Sequence, residues 1–160
     1  MTKVLTETNR SYLLYNQFMD WQQFDRGVFL VNVLGVVYNS QTREIIIGRR
    51  ENDPFLQQLS WSFPGGRPDY HDELEEYLKQ QVQIKTNLDI EVNKVLFAKT
   101  YPEKREFLSI YYLCSYIQGE AIAGEKFGEV KWVKPSSVQN YFSTSTSLHP
   151  KLLEILKKLD

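Results

Sequence analysis

Two adjacent glycines, Gly65 and Gly66, end the run Trp61-Ser-Phe-Pro-Gly-Gly66 and precede an acidic stretch with helical spacing. Paired glycines admit backbone conformations that other residues resist and let the chain approach a ligand closely. A helix that follows such a turn offers free N–H groups to an anion. Arg49, Arg50 and Arg67 flank the turn, and guanidinium forks suit phosphate oxygens in bidentate geometry. Lys85, near the far end of the same stretch, adds an ammonium. Together these groups suit recognition of a phosphate-bearing small molecule. Each also has a plain reading: a surface arginine, a turn, or a lysine placed where cations favour a helix C-terminus.

The elements that must position these residues are legible from periodicity. Residues 7–24 carry Tyr12, Leu13, Leu14, Phe18, Trp21 and Phe24 among polar neighbours, and spacings near three and four predict an amphipathic helix in an N-terminal extension over residues 1–25. Val28 to Tyr38 is a long β-branched run, and Ile45-Ile46-Ile47 lies in a second strand from Glu44 to Gly48. Asn39-Ser-Gln-Thr42 between them has turn chemistry, so the pair reads as a hairpin. A polar loop from Glu51 to Ser60 leads to the glycine turn. A helix over roughly His71 to Lys85 follows, with Leu74, Leu78 and Val82 as its buried stripe. Further strands are expected over Ile90–Thr100, Phe107–Ile117 and Glu129–Val133. Pro135 starts a short helix, and His149–Leu159 forms the last one, with Leu152, Leu153, Leu156 and Leu159 inward. The reading is one α+β domain over residues 1–160, with no repeat or interior linker.

Composition narrows the function classes. Nineteen Lys and Arg against 20 Asp and Glu give a net charge of -1, which speaks against a general nucleic-acid or membrane-surface binder. No apolar run approaches the ~20 residues that span a bilayer, and the first residues lack a signal core, so a cytoplasmic location is expected. The single cysteine, Cys114, falls in a strand pattern and reads as a buried, inert thiol. His71 and His149 border helix starts without metal partners at usable spacing and read as structural. Tyr101, Tyr111, Tyr112 and Tyr116, with Trp61 and Trp132, can stack on a base, but strand aromatics more often fill a sheet core.

From about Phe29 to Val133 the chain resembles the Nudix hydrolases. The resemblance rests on a hairpin ending in Ile47-Gly48-Arg49-Arg50, then Trp61-Ser-Phe-Pro-Gly-Gly-Arg67, a helix, two strands and Glu129-Val-Lys-Trp-Val133. It implies an α/β/α sandwich around a mixed β-sheet, acting on nucleoside diphosphates linked to another group. The Pro-Gly-Gly-Arg turn, the chain length and the N-terminal helix are also similar to the GDP-mannose mannosyl hydrolase branch, whose motif is itself altered. That branch keeps a metal-binding glutamate in the helix and uses a later-loop histidine as base. Here Lys85 takes the former place, and Thr100–Glu106 contains no histidine.

The departures fall on the charged face of the motif, residues 63–88. Laid from Gly66, the family's first glutamate falls on Asp72 and its Arg-Glu pair on Gln80-Gln81. Its Glu-Glu pair falls on Ile84-Lys85, its glycine on Asn87 and its last apolar position on Leu88. Positions 81, 84 and 85 share one side of a helix, where the resemblance implies glutamates holding magnesium or manganese beside the diphosphate. Such cations want oxygen ligands. An amide, a hydrocarbon and an ammonium do not supply a carboxylate cage, and without the ion the attacking water and developing charge lose their main support. Asp72 and Gln80 depart together, as though one supporting interaction had relaxed as a unit. Glu73, Glu75 and Glu76 lie in the first helical turns, where acidic residues suit the helix dipole.

The expected function is therefore binding of a nucleoside diphosphate-linked ligand, with metal-dependent pyrophosphohydrolysis lost or strongly impaired. Gly65, Gly66, Arg50, Arg67, Gln81 and Lys85 form the expected binding set, with no metal ligands and no cofactor. The resemblance implies a basic residue at Arg50 and a catalytic base in the region of Glu125 and Glu129, of which Glu129 is the candidate, while the departure at Lys85 puts an ammonium where the metal would be, able to neutralise a bound phosphate. The alternatives are an active hydrolase of nucleotide sugars or similar compounds, which would need magnesium or manganese, and a partner-binding or homodimerisation module with a vestigial cleft.

Overall fold

The computed structural model describes residues 27–51, 61–142 and 148–160. The expected N-terminal helix and almost all of the Glu51–Ser60 loop lie outside them. The described strands are β1 (Leu30–Asn39), β2 (Glu44–Arg50), β3 (Trp61–Ser62), β4 (Gly65–Gly66), β5 (Asp89–Tyr101), β6 (Lys104–Gln118) and β7 (Phe127–Val133). Helix α1 (Leu74–Thr86) follows β4, and a 3-10 helix (Pro135–Asn140) and α2 (Pro150–Lys157) close the chain.

The sheet runs β3-β2-β1-β6-β5, with β4 also paired to β1 and β7 to β2. Strands β1 and β6 are parallel over Leu30↔Phe107 to Tyr38↔Ser115, while the other pairings are antiparallel. The sheet is thus mixed. Its two faces follow from the period-2 alternation of each strand. Val33, Val37, Ile46, Tyr112 and Cys114 pack on one face with Leu78 and Val82 of α1. Val36, Ile45, Ile47 and Tyr111 pack on the other with Leu152 and Leu156 of α2. β1 is covered on both sides, which is why its sequence is apolar almost throughout. A helix–sheet–helix sandwich results, as the resemblance implied. No helix among the described residues is long and apolar enough to cross a membrane.

Several boundaries differ from the periodicity reading. Helix α1 begins at Leu74 rather than His71. Asp69 Oδ1 accepts the His71 N–H at 2.7 Å, and Asp72 Oδ2 accepts the Asp69 N–H at 2.9 Å. These local side-chain bonds offer the backbone an alternative to the helix ladder. Strands β5 and β6 continue past the expected Thr100–Glu106 connection, so that Tyr101 pairs with Lys104 and only Pro102 and Glu103 form the turn. β7 starts at Phe127, two residues before Glu129. The hairpin at Asn39 is as expected: Arg43 N–H donates to the Asn39 carbonyl at 2.8 Å, and Gln41 N–H to Asn39 Oδ1 at 3.0 Å.

The start of α2 and the far end of α1 are closed by specific groups. His149 caps α2, its Nδ1 accepting the Lys151 N–H at 3.2 Å, and its ring lies 4.9 Å from that of Phe97. His149 is therefore structural, as expected. At the end of α1, Asn87 adopts a left-handed conformation with φ 61°, which asparagine tolerates better than most residues. The following loop then returns to the helix: Ile122 N–H donates to Thr86 O at 3.0 Å and Gly124 N–H to Lys85 O at 2.9 Å. These bonds satisfy carbonyls that a helix C-terminus leaves orphaned.

Candidate functional site: the face of α1 over the glycine turn

The glycine turn is locked into the sheet before any side chain acts on it. Gly65 and Gly66 pair with Leu34 and Val33 of β1, and the Pro64 carbonyl accepts the Gly35 N–H at 2.8 Å. A Cβ on Gly65 would overlap the Val33 carbonyl, so no other residue fits there without moving β1. A Cβ on Gly66 would lie 2.5 Å from the Tyr77 hydroxyl and 3.2 Å from Gln81 Oε1. The helix thus sits directly on the turn.

Three residues four apart make that contact. Tyr77 and Gln81 lie over Gly66, and one turn further Lys85 Nζ donates to the Gly65 carbonyl. The i, i+4, i+8 spacing puts all three on one stripe of α1. Tyr77 was not singled out by sequence reasoning, although the same spacing from Gln81 and Lys85 pointed to it. Burial raises the Tyr77 phenol pKa, helped by the carboxylate of Asp72. Ile84, the third position expected on this face, leaves 43% of its surface exposed.

Lys85 is the electrostatic centre of the site. Burial pushes its pKa down to about 8, Arg50 and Lys126 push the same way, and Glu125 opposes them. Arg50, at the end of β2, is therefore close enough to Lys85 for its charge to be felt there. Glu125 and Lys126 reach it because the 119–126 loop is tied to the helix end through Gly124. Lys126 carried no sequence signal: a lysine in a loop is ordinarily solvated, and only the tertiary path of that loop brings it here.

The other candidates are dispersed. Glu129 sits on β7 opposite Arg49, and its Oε2 accepts from Arg49 Nε at 3.3 Å. Glu51 lies 4.0 Å from the same guanidinium. Arg67 bonds through its backbone to Tyr77 of α1 and places its guanidinium 5.4 Å from the centre of the Phe107 ring. Asp72 is engaged with the Asp69 N–H, and Gln80 is exposed on the outer side of α1. Cys114 is fully buried, with burial raising its thiol pKa to about 12, as expected of an inert thiol. Tyr111 and Tyr112 are buried in the two sheet faces. Trp61 packs edge-on to Tyr141, and Trp132 edge-on to Tyr116.

The donors over the turn do not fit a divalent cation. Gln81 offers one neutral oxygen and Lys85 an ammonium, with two more cations near it. Among the described residues, no three His, Cys, Asp or Glu side chains come together to hold a metal. The arrangement instead fits an anion: positive charge focused beside a backbone turn in a partly desolvated setting, where electrostatic interactions are strengthened.

The NUDIX domain family model matches residues 28–157. Among solved structures, the chain is similar to a NUDIX hydrolase from Nitrosomonas europaea (TM-score 0.68, 13% identity, covering 82% of this chain and 72% of that one). It is also similar to the MutT protein from Methanosarcina mazei Go1 (TM-score 0.65, 15% identity, covering 84% and 95%). A UDP-X diphosphatase aligns with TM-score 0.63 and 16% identity over 96% of this chain and 79% of that one. At such identities the likeness is one of fold. No curated protein matches the chain.

Proposed function

Since the chain belongs to the Nudix family, whose hydrolases act on nucleoside diphosphates linked to another group, we propose that it binds a ligand of that class and has lost, or nearly lost, metal-dependent hydrolysis. The observation that supports this reading is the Lys85 ammonium bonded to the Gly65 carbonyl. It stands on the helix face where the family's motif places a metal-holding glutamate. A built-in cation then neutralises the diphosphate where a divalent ion would otherwise do so.

The roles divide by position. Gly65 and Gly66 give close backbone access, Lys85 supplies a charge-assisted donor, and Arg50 adds to the field around it. Gln81 offers an amide beside Gly66. An ammonium matches part of a metal ion's charge but does not lower the pKa of a bound water or hold it for attack, and those are the steps a metal supplies. Binding without turnover follows.

Calorimetry and a turnover assay test the reading together. Titration with magnesium or manganese should give no tight site, ADP should bind in the absence of metal, and ADP-ribose and nucleoside diphosphate sugars should remain intact. Metal-dependent turnover that disappears in Glu129→Gln would establish the active hydrolase instead. Failure of every nucleotide to bind, with a dimer in light scattering, would favour an interaction module.

A further inference from the structure

Backbone bonds from several elements converge on the far end of α1. The Gly124 N–H donates to the Lys85 carbonyl at 2.9 Å, and a Cβ on Gly124 would overlap the Ile84 carbonyl. The 119–126 loop therefore lies directly against the helix. Two residues on, the Lys126 carbonyl accepts the Glu51 N–H at 3.1 Å, and Arg50 pairs with Phe127 at the start of β7. Lys126 and Arg50 are thus held on adjoining strand ends, within electrostatic reach of the Lys85 amine together with Glu125. Along the stripe of its own helix the amine's neighbours are Gln81 and Tyr77, both over Gly66. Burial raises the Tyr77 phenol pKa, so neither carries charge near neutral pH. The amine itself donates to the Gly65 carbonyl.

This set of charges selects a kind of chemistry. With Lys85 protonated it holds three cations, Arg50, Lys85 and Lys126, against one carboxylate, Glu125. Burial, then repulsion from Arg50 and Lys126, brings the Lys85 pKa down to about 8. Near that pH the neutral amine, the nucleophilic form, is roughly a hundredfold more abundant here than at a lysine with the ordinary value. An acetyl group on that amine would only cancel one charge. Carbon dioxide does more, because its adduct is an anion. The set is then balanced, with two cations and two anions, and the new negative charge stands beside Arg50 and Lys126 in a partly desolvated setting. The adduct also keeps one N–H, so the bond to the Gly65 carbonyl survives.

We propose that Lys85 is a reversible carbon dioxide-binding residue, whose carbamate replaces the site's central cation with an anion and closes it to phosphate. The lone pair of the neutral Nζ attacks the carbon of dissolved carbon dioxide, a C–N bond forms, and one C=O π pair moves onto oxygen. The nitrogen then loses one proton to solvent, leaving –NH–COO⁻. No oxidant or further reactant takes part, and loss of carbon dioxide restores the amine. Exclusion of phosphate rests on the proposed function; formation of the carbamate does not.

The full chain, incubated with carbon-13 bicarbonate near pH 8, trapped with triethyloxonium and read by peptide mass analysis, tests the modification. Lys79, on the same helix, is the internal control. Its ammonium lies 2.9 Å from Glu76 Oε1, and that bond raises its pKa. Lys85 should carry at least about tenfold more carbamate than Lys79. Lys126→Asn should cut Lys85 occupancy by about twofold or more, and Glu125→Gln should raise it. Both positions are exposed, and asparagine tolerates the φ of 61° at Lys126. Equal labelling of Lys85 and Lys79, or loop variants that leave occupancy unchanged or move it the same way, would overturn the proposal.

ADP titrations in bicarbonate and in chloride at matched ionic strength separate it from the proposed function. ADP affinity should fall by at least about twofold in bicarbonate, and Lys85→Met should show no such fall. ADP binding with no carbamate on Lys85 sinks the inference and leaves the proposed function intact. Carbamate on Lys85 with unchanged ADP affinity overturns the exclusion of phosphate, and carbamate in a chain that binds no nucleotide refutes the proposed function alone.

Discussion

Lys85 donates through its ammonium to the carbonyl of Gly65, 20 residues earlier in the chain. A long, flexible cation is thereby pinned to the backbone of the glycine turn and held in a half-buried setting beside Arg50 and Lys126. The protein carries a cost in stability to keep that charge in place.

The sign of that cost is testable. A lysine whose folded pKa falls from 10.5 to about 8 binds fewer protons when folded than when unfolded between those values. Stability from this group therefore rises as pH climbs from about 8 toward 10.5. Lys85→Met should abolish that rise. At pH 7 it should also increase Tm by about 2–4 °C, the shift of ~1 kcal/mol in a chain of this size. A lower Tm would mean that the bond to Gly65 outweighs the burial of the charge.

Ligand affinity should show the opposite pH trend. The protonated ammonium is the form that attracts phosphate, so ADP affinity should fall as pH passes about 8, with proton uptake on binding above that point. Calorimetry in buffers of different ionisation enthalpy reads this directly. A wild-type profile as flat as that of Lys85→Met would remove Lys85 from the binding set.

Gly124→Ala probes how the loop holds the helix end. A Cβ there would overlap the Ile84 carbonyl, and the Gly124 N–H is also bonded to Lys85 O at 2.9 Å. Backbone must move, so a loss of about 1–3 kcal/mol is expected, measured by urea unfolding. Because the same loop carries Glu125 and Lys126 to Lys85, the lysine pKa should shift as well, which NMR titration would detect.

Asn87 stands where the family motif has glycine. Its φ of 61° makes Asn87→Ala destabilising by about 1 kcal/mol. Asn87→Gly should cost less, limited to the side-chain bond to the Glu120 carbonyl at 3.1 Å. Equal losses in the two variants would show that the side chain, not the backbone conformation, decides this position.

Restoring carboxylates at Gln81→Glu, Ile84→Glu and Lys85→Glu should create a manganese site detectable by calorimetry, since all three positions lie along one side of α1. Absence of manganese binding in a folded triple variant would place the missing determinants outside the helix.

Much of this protein was decided by its sequence. Near-continuous apolar runs in 33–37, 45–47 and 111–114 assigned strands, because strands covered on both faces of a sheet have apolar side chains pointing both ways. The 74, 78, 82 stripe assigned helix α1, and 77, 81, 85 ran beside it at the same spacing. Paired glycines marked the place where helix and sheet come closest. Tertiary structure alone decided what each charge meets. Nothing local to Lys85 specifies Gly65 as its partner. Nothing in Arg67 shows that it crosses β1 to Phe107, and nothing in Lys126 shows that a loop carries it back to the helix end. Side-chain period is a property of neighbouring residues and is written along the chain. The field around an ammonium depends on strand order and loop path, which bring together groups that are distant in sequence.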